Sequence, residues 1–150
     1  MSEAGEESRT YILVAEDDPT NQYVFRKILE RAGYEVVIAE DGQKALEACK
    51  LRRPDLILLD MMMPVLNGYE TAAIMVQDPG LDDVAILALT ANAMRGDELK
   101  TRDAGCDDHI AKPVQMADFL QKIKSWIECD PQSWMPQRLQ RRLPPEEAAG

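Results

Sequence analysis

The chain has 150 residues, of which 45% are hydrophobic and 29% are charged, and its net charge at neutral pH is −10. This length and composition suit an ordinary globular protein with one sizeable core. The excess of acidic residues argues against direct nucleic-acid binding, because a face that binds nucleic acid needs Lys and Arg to neutralise phosphates. The same acidity is compatible with basic protein partners and with a divalent cation.

The N-terminal residues are polar and acidic, which excludes a signal peptide. Residues 1–9 are rich in Glu, Ser and Gly and are expected to be disordered. No stretch approaches the roughly 20 apolar residues that a membrane span requires. The three cysteines, Cys49, Cys106 and Cys129, have no metal-ligand spacing and are expected to be reduced thiols. We therefore expect a cytoplasmic protein that does not associate with membranes.

Five short apolar runs alternate with segments of helical periodicity from residue 10 onward. The predicted strands occupy residues 11–15, 35–39, 55–59, 84–89 and 107–111. Most are apolar throughout, as expected of parallel strands covered on both faces, whereas the second and fifth are more polar and suit the edges of a sheet. Alternating strands and helices of this size predict an α/β fold with a doubly wound parallel sheet and right-handed crossovers.

The helical segments differ in how many apolar residues anchor them. The first ends at Gly33, and the last, from Met116 to Ile127, has the strongest apolar stripe. The fourth, at about residues 92–104, has Met94 and Leu99 as its only large apolar residues. We therefore expect the fourth helix to be the most labile element of the fold.

The chain changes character after residue 129, where it becomes proline-rich and polar. Four apolar residues of this tail could dock on the domain or on a partner: Trp134, Met135, Leu139 and Leu143. An unstructured extension is the favoured interpretation, since the tail is too short for a second domain. The predicted organisation is a disordered segment over residues 1–9, a folded domain over 10–129 and a flexible tail over 130–150.

Polar residues follow four of the predicted strands. Glu16, Asp17 and Asp18 follow the first strand, Asp60 the third, Thr90 the fourth and Lys112 the fifth. Ligands bind at the carboxyl ends of the strands in an open parallel sheet, so these side chains should converge. Each acid considered alone is more often a helix N-cap, as Asp18 before Pro19 indicates. A functional site is favoured because polar residues follow four different strands that end at the same edge of the sheet.

The converging residues suit phosphoryl transfer onto a carboxylate. Clustered carboxylates repel one another unless a cation intervenes, and oxygen ligands suit Mg²⁺. Thr90 offers a hydroxyl donor, and Lys112 offers a point charge for a phosphate oxygen. Asp60 is best placed to be the nucleophile.

Residues 10–129 resemble the response-regulator receiver (CheY-like) family. The motifs that carry the resemblance are residues 12–18 (ILVAEDD), 55–64 (DLILLDMMMP) followed by Asn67 and Gly68, 89–91 (LTA) and 111–113 (AKP). The resemblance implies five strands in the order 2-1-3-4-5 with five helices. Residues 89–97 and 105–108 look most like receivers of hybrid histidine kinases and of single-domain phosphorelay regulators, towards the alphaproteobacterial cell-cycle type.

The resemblance also implies the roles of the site residues. Glu16, Asp17, Asp60 and the main-chain carbonyl of Met62 would bind Mg²⁺, and Asp60 would become the phosphoaspartate. Thr90 and Lys112 would hold the phosphoryl group, and the bond between Lys112 and Pro113 would be cis.

One residue departs from the family pattern. His109 stands three positions before Lys112, where receivers usually have the Tyr or Phe that swings inward after Thr90 moves. An imidazole that merely fills the place of the aromatic is the simpler interpretation. The alternative is that protonation of His109 tunes the switch near pH 6.5.

The family resemblance implies a signalling switch rather than an enzyme. The phosphoryl donor would be a histidine kinase or a histidine phosphotransfer protein, and the output would be contact with a downstream protein. The fourth helix, the fifth strand and the fifth helix would form the surface that changes. The domain could stand alone or could be part of a larger kinase. The initial Met and the short tail favour a stand-alone protein, which we expect to be a monomer or a weak dimer.

Three other classes of protein are considered. A flavodoxin-like FMN binder has the same sheet order, but Glu16 to Asp18 would repel its phosphate. A phosphatase of the haloacid dehalogenase class needs an Asp-x-Asp arrangement after the first strand, where this chain has Glu16. A receiver-fold scaffold that works without phosphorylation is the alternative that the sequence excludes least.

Overall fold

A five-stranded parallel sheet in the order β2-β1-β3-β4-β5 forms the centre of the structure. The structure is a computed structural model that describes residues 10–63, 65–90 and 104–142. Its strands are β1 (Tyr11–Ala15), β2 (Glu35–Ala39), β3 (Leu56–Asp60), β4 (Ala85–Thr90) and β5 (Asp108–Ala111). The fold class and strand order predicted from the sequence are confirmed, and the two more polar strands are the edges.

Helices cover both faces of the sheet. The α-helices in the described ranges are α1 (Pro19–Arg31), α2 (Gly42–Leu51), α3 (Gly68–Met75), α4 (Met116–Glu128) and α5 (Met135–Arg142), with 3-10 turns at Pro79–Leu81 and Pro131–Ser133. The predicted fourth helical segment falls mainly on residues 91–103, which lie outside the described residues, as do residues 1–9. No helix in the described part of the chain is both long enough and apolar enough to cross a membrane.

Side chains that alternate along the strands separate into two apolar cores. On one face, α1 and α4 contribute Phe25 and Phe119, whose rings stack at 5.5 Å, and the core continues to Trp134. On the other face, α2 and α3 contribute Ala45 and Met75. Burial on both faces explains why the central strands read as continuous apolar runs.

Side chains before the first three helices cap them, and the first of these caps, Asp18, is the one that the sequence predicts. Asp18 accepts a hydrogen bond from the Thr20 N–H before α1, and Asp41 accepts one from the Lys44 N–H before α2. Asn67 forms a reciprocal capping box with Glu70 before α3. These caps start the helices directly after the loops that leave the carboxyl ends of the strands.

The C-terminal tail differs from its prediction over residues 131–142. These residues form a 3-10 turn and the helix α5, and the side chains of Trp134 and Arg138 are buried. The expectation of an unstructured extension is wrong for this part, because a polar residue, Arg138, finds buried partners on the domain. Residues 143–150 lie outside the described residues.

Candidate functional site

The carboxyl ends of four strands bring the predicted site residues to one edge of the sheet. Glu16 follows β1, Asp60 ends β3, Thr90 ends β4 and Lys112 follows β5. The β4–β5 pairing extends to the site, because the Lys112 N–H donates to the Thr90 carbonyl at 2.8 Å. The register of the sheet therefore fixes the backbone on which these side chains stand.

Three carboxylates form the acidic cluster of the site. Glu16, Asp17 and Asp60 each offer one oxygen, and these oxygens lie within 4.8 Å of one another. Glu16 and Asp60 are only 1% and 3% exposed, whereas Asp17 is exposed. Protein therefore covers the cluster on the side of the sheet, and solvent reaches it on the side of Asp17.

Polar groups of the β1–α1 connection hold Glu16 in place. Its Oε2 accepts from the Asp18 N–H at 3.1 Å and from Asn21 Nδ2 at 3.4 Å, and its main-chain carbonyl accepts from Gln22 Nε2 at 2.7 Å. Sequence reasoning missed Asn21 and Gln22. The available signal was two adjacent amide side chains in the first turn of α1, five and six positions after Glu16.

Lys112 places one positive charge against the acidic cluster. Its Nζ donates to Asp60 Oδ2 at 3.2 Å and to Glu16 Oε1 at 3.4 Å. Burial acts to lower the pKa of Lys112, but attraction to Asp60 and Glu16 outweighs burial, and the pKa is raised from its ordinary value. Lys112 is therefore charged at neutral pH.

The pKa of Glu16 is raised from its ordinary value. Burial is the main cause, and repulsion by the nearby carboxylate of Asp60 adds to it. The Asp18 N–H and the Lys112 ammonium act in the opposite direction without cancelling the rise. One lysine thus leaves the carboxylate charge uncompensated, and the oxygen-only donor set fits a hard divalent cation such as Mg²⁺.

The segment after β3 is held close to Asp60. Met62 donates its N–H to Asp60 Oδ1 at 3.1 Å, while its side chain is exposed. Gly68 donates its N–H to the Met61 carbonyl at 3.1 Å, and a Cβ at Gly68 would clash with the Asp60 carbonyl and stand 2.5 Å from the Met61 Cα. Gly68, which is part of the motif that carries the family resemblance, therefore sets the distance between α3 and the site.

His109 lies beside the site strand rather than among the carboxylates. It is half-buried in β5, with its Nδ1 3.9 Å from Asp108 Oδ1, and it lines a cavity of about 330 Å³ between β5 and α4.

Lys112–Pro113 is a cis peptide bond, as the family resemblance implies. Cys49, Cys106 and Cys129 form no disulfide bonds with one another, and burial raises the pKa of Cys49 to about 11.

Comparison with known proteins gives consistent similarities. Residues 12–124 match the family model of the response regulator receiver domain. The polar-differentiation response regulator DivK of Brucella anthropi is 36% identical over 116 residues, which cover 77% of this chain and 94% of DivK.

Two solved structures illustrate the structural similarity. The receiver domain of the sensor histidine kinase PA1611 from Pseudomonas aeruginosa, which has a magnesium ion coordinated in its active site cleft, is 36% identical and has a TM-score of 0.76. That match covers 81% of this chain and all of the other. The complex of the phosphotransfer protein Ypd1 with the receiver domain of Ssk1 from Saccharomyces cerevisiae gives 28% identity and a TM-score of 0.74 over 83% of this chain and 97% of the matched chain. With the family model covering most of the sequence, the chain belongs to the response regulator receiver domain family.

Proposed function

We propose that the chain is a phosphoacceptor switch that takes a phosphoryl group onto Asp60 with the help of Mg²⁺. The observation that carries the proposal is the buried carboxylate of Asp60, which contacts the Lys112 ammonium and lies close to the acidic oxygens of Glu16 and Asp17. Sheet order alone would suit a flavin binder equally, but an acidic pocket would repel a ligand phosphate in the absence of a cation. The receiver-family membership supports the same choice.

In the proposed reaction, a carboxylate oxygen of Asp60 attacks the phosphorus of a phosphohistidine. The new P–O bond makes an acyl phosphate, the P–N bond breaks, and the departing imidazole nitrogen takes the electron pair of that bond and a proton from solvent water. Glu16, Asp17, Asp60 and the carbonyl of Met62 would hold Mg²⁺, which would supply charge neutralisation and orientation. Lys112 would bind a phosphoryl oxygen and would leave its ion pair with Glu16 to do so.

The proposed output is a change in the protein-binding surface. Thr90 would turn its hydroxyl to the phosphoryl group, and His109, on the neighbouring strand, would respond to the vacated space. The affected face would consist of the helix predicted at about residues 92–104, the strand β5 and the helix α4. The cavity beside His109 leaves room for repacking on this face. The receiver would comprise residues 10–129 and would accelerate only its own phosphorylation and dephosphorylation.

The proposed partners follow from the chemistry and from the relatives. The donor would be a histidine kinase or a histidine phosphotransfer protein, as in the Ypd1–Ssk1 pair, and the readout would be contact with a downstream protein. A phosphorylation-independent scaffold is the second candidate.

The proposal is tested by incubating the chain with acetyl phosphate and Mg²⁺ and measuring its intact mass. We expect the gain of one phosphoryl group in the wild type and in Asp118→Asn, which removes an exposed carboxylate from α4. We expect no gain in Asp60→Asn or in the wild type without Mg²⁺. A phosphorylated Asp60→Asn variant would contradict the assignment of the acceptor. A wild type that binds Mg²⁺ but accepts no phosphoryl group, even from a histidine phosphotransfer protein, would favour the scaffold.

A further inference from the structure

The C-terminal latch, which we define as residues 131–142, packs on the domain at the end of the sheet opposite to the acidic cluster. Trp134 is 7% exposed and joins the apolar core on the α1 and α4 face. Its ring meets that of Trp126 of α4 edge-to-face, with the centroids 5.6 Å apart. These two residues are the only tryptophans of the chain.

Arg138 anchors the latch through a buried guanidinium group. Its Nη1 donates to the Val84 carbonyl at 2.9 Å and to Asp107 Oδ2 at 2.7 Å, and its Nη2 donates to the Leu81 carbonyl at 2.8 Å. The side chains of Arg138 and Asp107 are 1% and 2% exposed. We call the two carbonyls and the Asp107 carboxylate the guanidinium socket. Its three acceptors suit a planar group with several donors better than they suit an ammonium group.

The guanidinium socket is built into the beginning of β5. Asp107 immediately precedes this strand, its Oδ2 also accepts from the Ile86 N–H at 2.8 Å, and its N–H donates to the Ile86 carbonyl at 2.7 Å. The next residue, Asp108, accepts from Trp126 Nε1 at 2.8 Å. The beginning of β5 is therefore held by the latch and by α4, while its end leads to Lys112.

The contact between the latch and the domain is incomplete. A cleft of about 360 Å³ lies between them, lined among others by Asp55, Cys129 and Trp134. The buried Nε1 of Trp134 has no hydrogen-bond partner among the described residues. A buried ion pair such as that of Arg138 and Asp107 also costs desolvation energy, which is recovered when both groups return to water. These features make release of the latch possible without unfolding of the domain.

We propose that the guanidinium socket is a binding site for the arginine side chain of a helix, occupied by Arg138 of the same chain, and that its occupancy stabilises β5. The latch is thus a regulatory element whose docking holds the strand that carries His109 and precedes Lys112. Its effect on signalling rests on the proposed phosphoacceptor function. The effect of the latch on β5 does not rest on the proposed function, because this effect follows from the contacts of Asp107 alone.

Hydrogen exchange of the full chain tests this proposal, with Arg138→Ala compared with the wild type. We expect amides of β5 and of residues 131–142 to exchange at least about tenfold faster in the variant, while those of β1 and β2 are unchanged. Arg52→Ala is the matched control, because Arg52 forms an exposed bidentate pair with Glu35 at the other edge of the sheet. Unchanged exchange of β5 in Arg138→Ala would overturn the proposal.

Chemical rescue distinguishes a guanidinium site from a general packing role of Arg138. Ethylguanidinium at millimolar concentration replaces the deleted part of the side chain and should restore slow exchange of β5 in Arg138→Ala. Ethylammonium should not, and equal rescue by both compounds would overturn the assignment of the ligand. Tryptophan fluorescence gives a second readout, because Trp134 belongs to the latch and Trp126 contacts it.

Arg138→Lys serves in place of Arg138→Ala should the latter fail to fold. Lysine keeps the positive charge, but its ammonium group lacks the planar arrangement of donors that forms hydrogen bonds with all three acceptors. We expect exchange of β5 to be faster than in the wild type and the tryptophan emission to shift to longer wavelength. Exchange of β5 equal to that of the wild type would contradict the inference. Neither variant requires a phosphoryl donor, so failure of the proposed phosphoacceptor function is detected separately by the mass measurement.

Discussion

At the scale of single residues, the charge balance around Asp60 is the feature with the clearest consequences. Three acidic side chains share a small volume with one lysine, and the pKa of Glu16 is raised mainly by burial, with repulsion by Asp60 adding to it. Lys112 therefore has two opposing effects. In the proposed function it would attract the anionic phosphoryl group, but it also occupies carboxylate oxygens that a divalent cation would use.

Substitution of Lys112 by Met should tighten Mg²⁺ binding. Removal of a positive charge next to the cation removes electrostatic repulsion and makes binding more favourable. We expect the Kd to fall by about tenfold, equivalent to ~1.4 kcal/mol. Titration calorimetry measures the change, with Lys124→Met as the control because Lys124 forms an exposed pair with Glu128. Weaker Mg²⁺ binding in Lys112→Met would mean that Lys112 organises the carboxylates rather than competing for them.

The positions of the site residues, as distinct from their roles, could be predicted from the sequence where topology dictates position. Glu16, Asp60, Thr90 and Lys112 could be brought together because parallel strands end at one edge of the sheet. The amides of Asn21 and Gln22 could not be assigned, since the geometry of a single turn decides whether a polar side chain faces the site or the solvent.

At the scale of elements, the position of Asp60 depends on how α3 begins. The capping box of Asn67 and Glu70 starts the helix, and Gly68 then lies against the backbone at the end of β3. The absence of a side chain at this position allows the Gly68 N–H to reach the Met61 carbonyl. The distance between α3 and Asp60 is thus fixed by backbone contacts.

Substitution of Gly68 by Ala should destabilise the fold and displace the segment that carries Asp60. The added Cβ would meet the Asp60 carbonyl and the Met61 Cα, neither of which can rotate away, so we expect a loss of about 1–3 kcal/mol in the free energy of unfolding. Chemical denaturation measures this loss. Gly80→Ala is the control, because its Cβ would meet only the Asp78 side chain, at 3.3 Å. An equal effect of the two substitutions would argue against the close approach.

The strands were predictable from the sequence because burial on both faces leaves a strong local signal. β1 and β2 match their predicted bounds, whereas β3, β4 and β5 each begin one residue later than predicted. The helix α5 was not predictable for a different reason. An isolated helix of eight residues is marginal, and Arg138 finds partners 31 to 57 positions earlier in the chain. Contacts at such separation leave no periodic signal in the sequence.

At the scale of the whole molecule, the acidic cluster opposes the stability of the fold that positions it. The chain has a net charge of −10, and burying Glu16 beside Asp60 adds a local cost. Because the pKa of Glu16 is higher in the folded chain than its ordinary value, the folded state binds the proton more tightly. The stabilising contribution of this proton is complete below the ordinary pKa of 4.5 and is lost as the pH rises through the raised value.

Mg²⁺ should therefore stabilise the chain, and by more at pH 7.5 than at pH 5, where protons compete for Glu16. At a free concentration of 100 times the Kd, binding adds ~2.7 kcal/mol, which corresponds to an increase in Tm of about 5–10 °C for a chain of this size. Thermal unfolding with and without Mg²⁺ at both pH values measures this difference. Glu16→Gln should be more stable than the wild type without Mg²⁺ at pH 7.5 and should gain less when Mg²⁺ is added, because the amide resembles the protonated acid. An equal gain in the variant, or a larger gain at pH 5, would show that Glu16 is not a ligand of the cation.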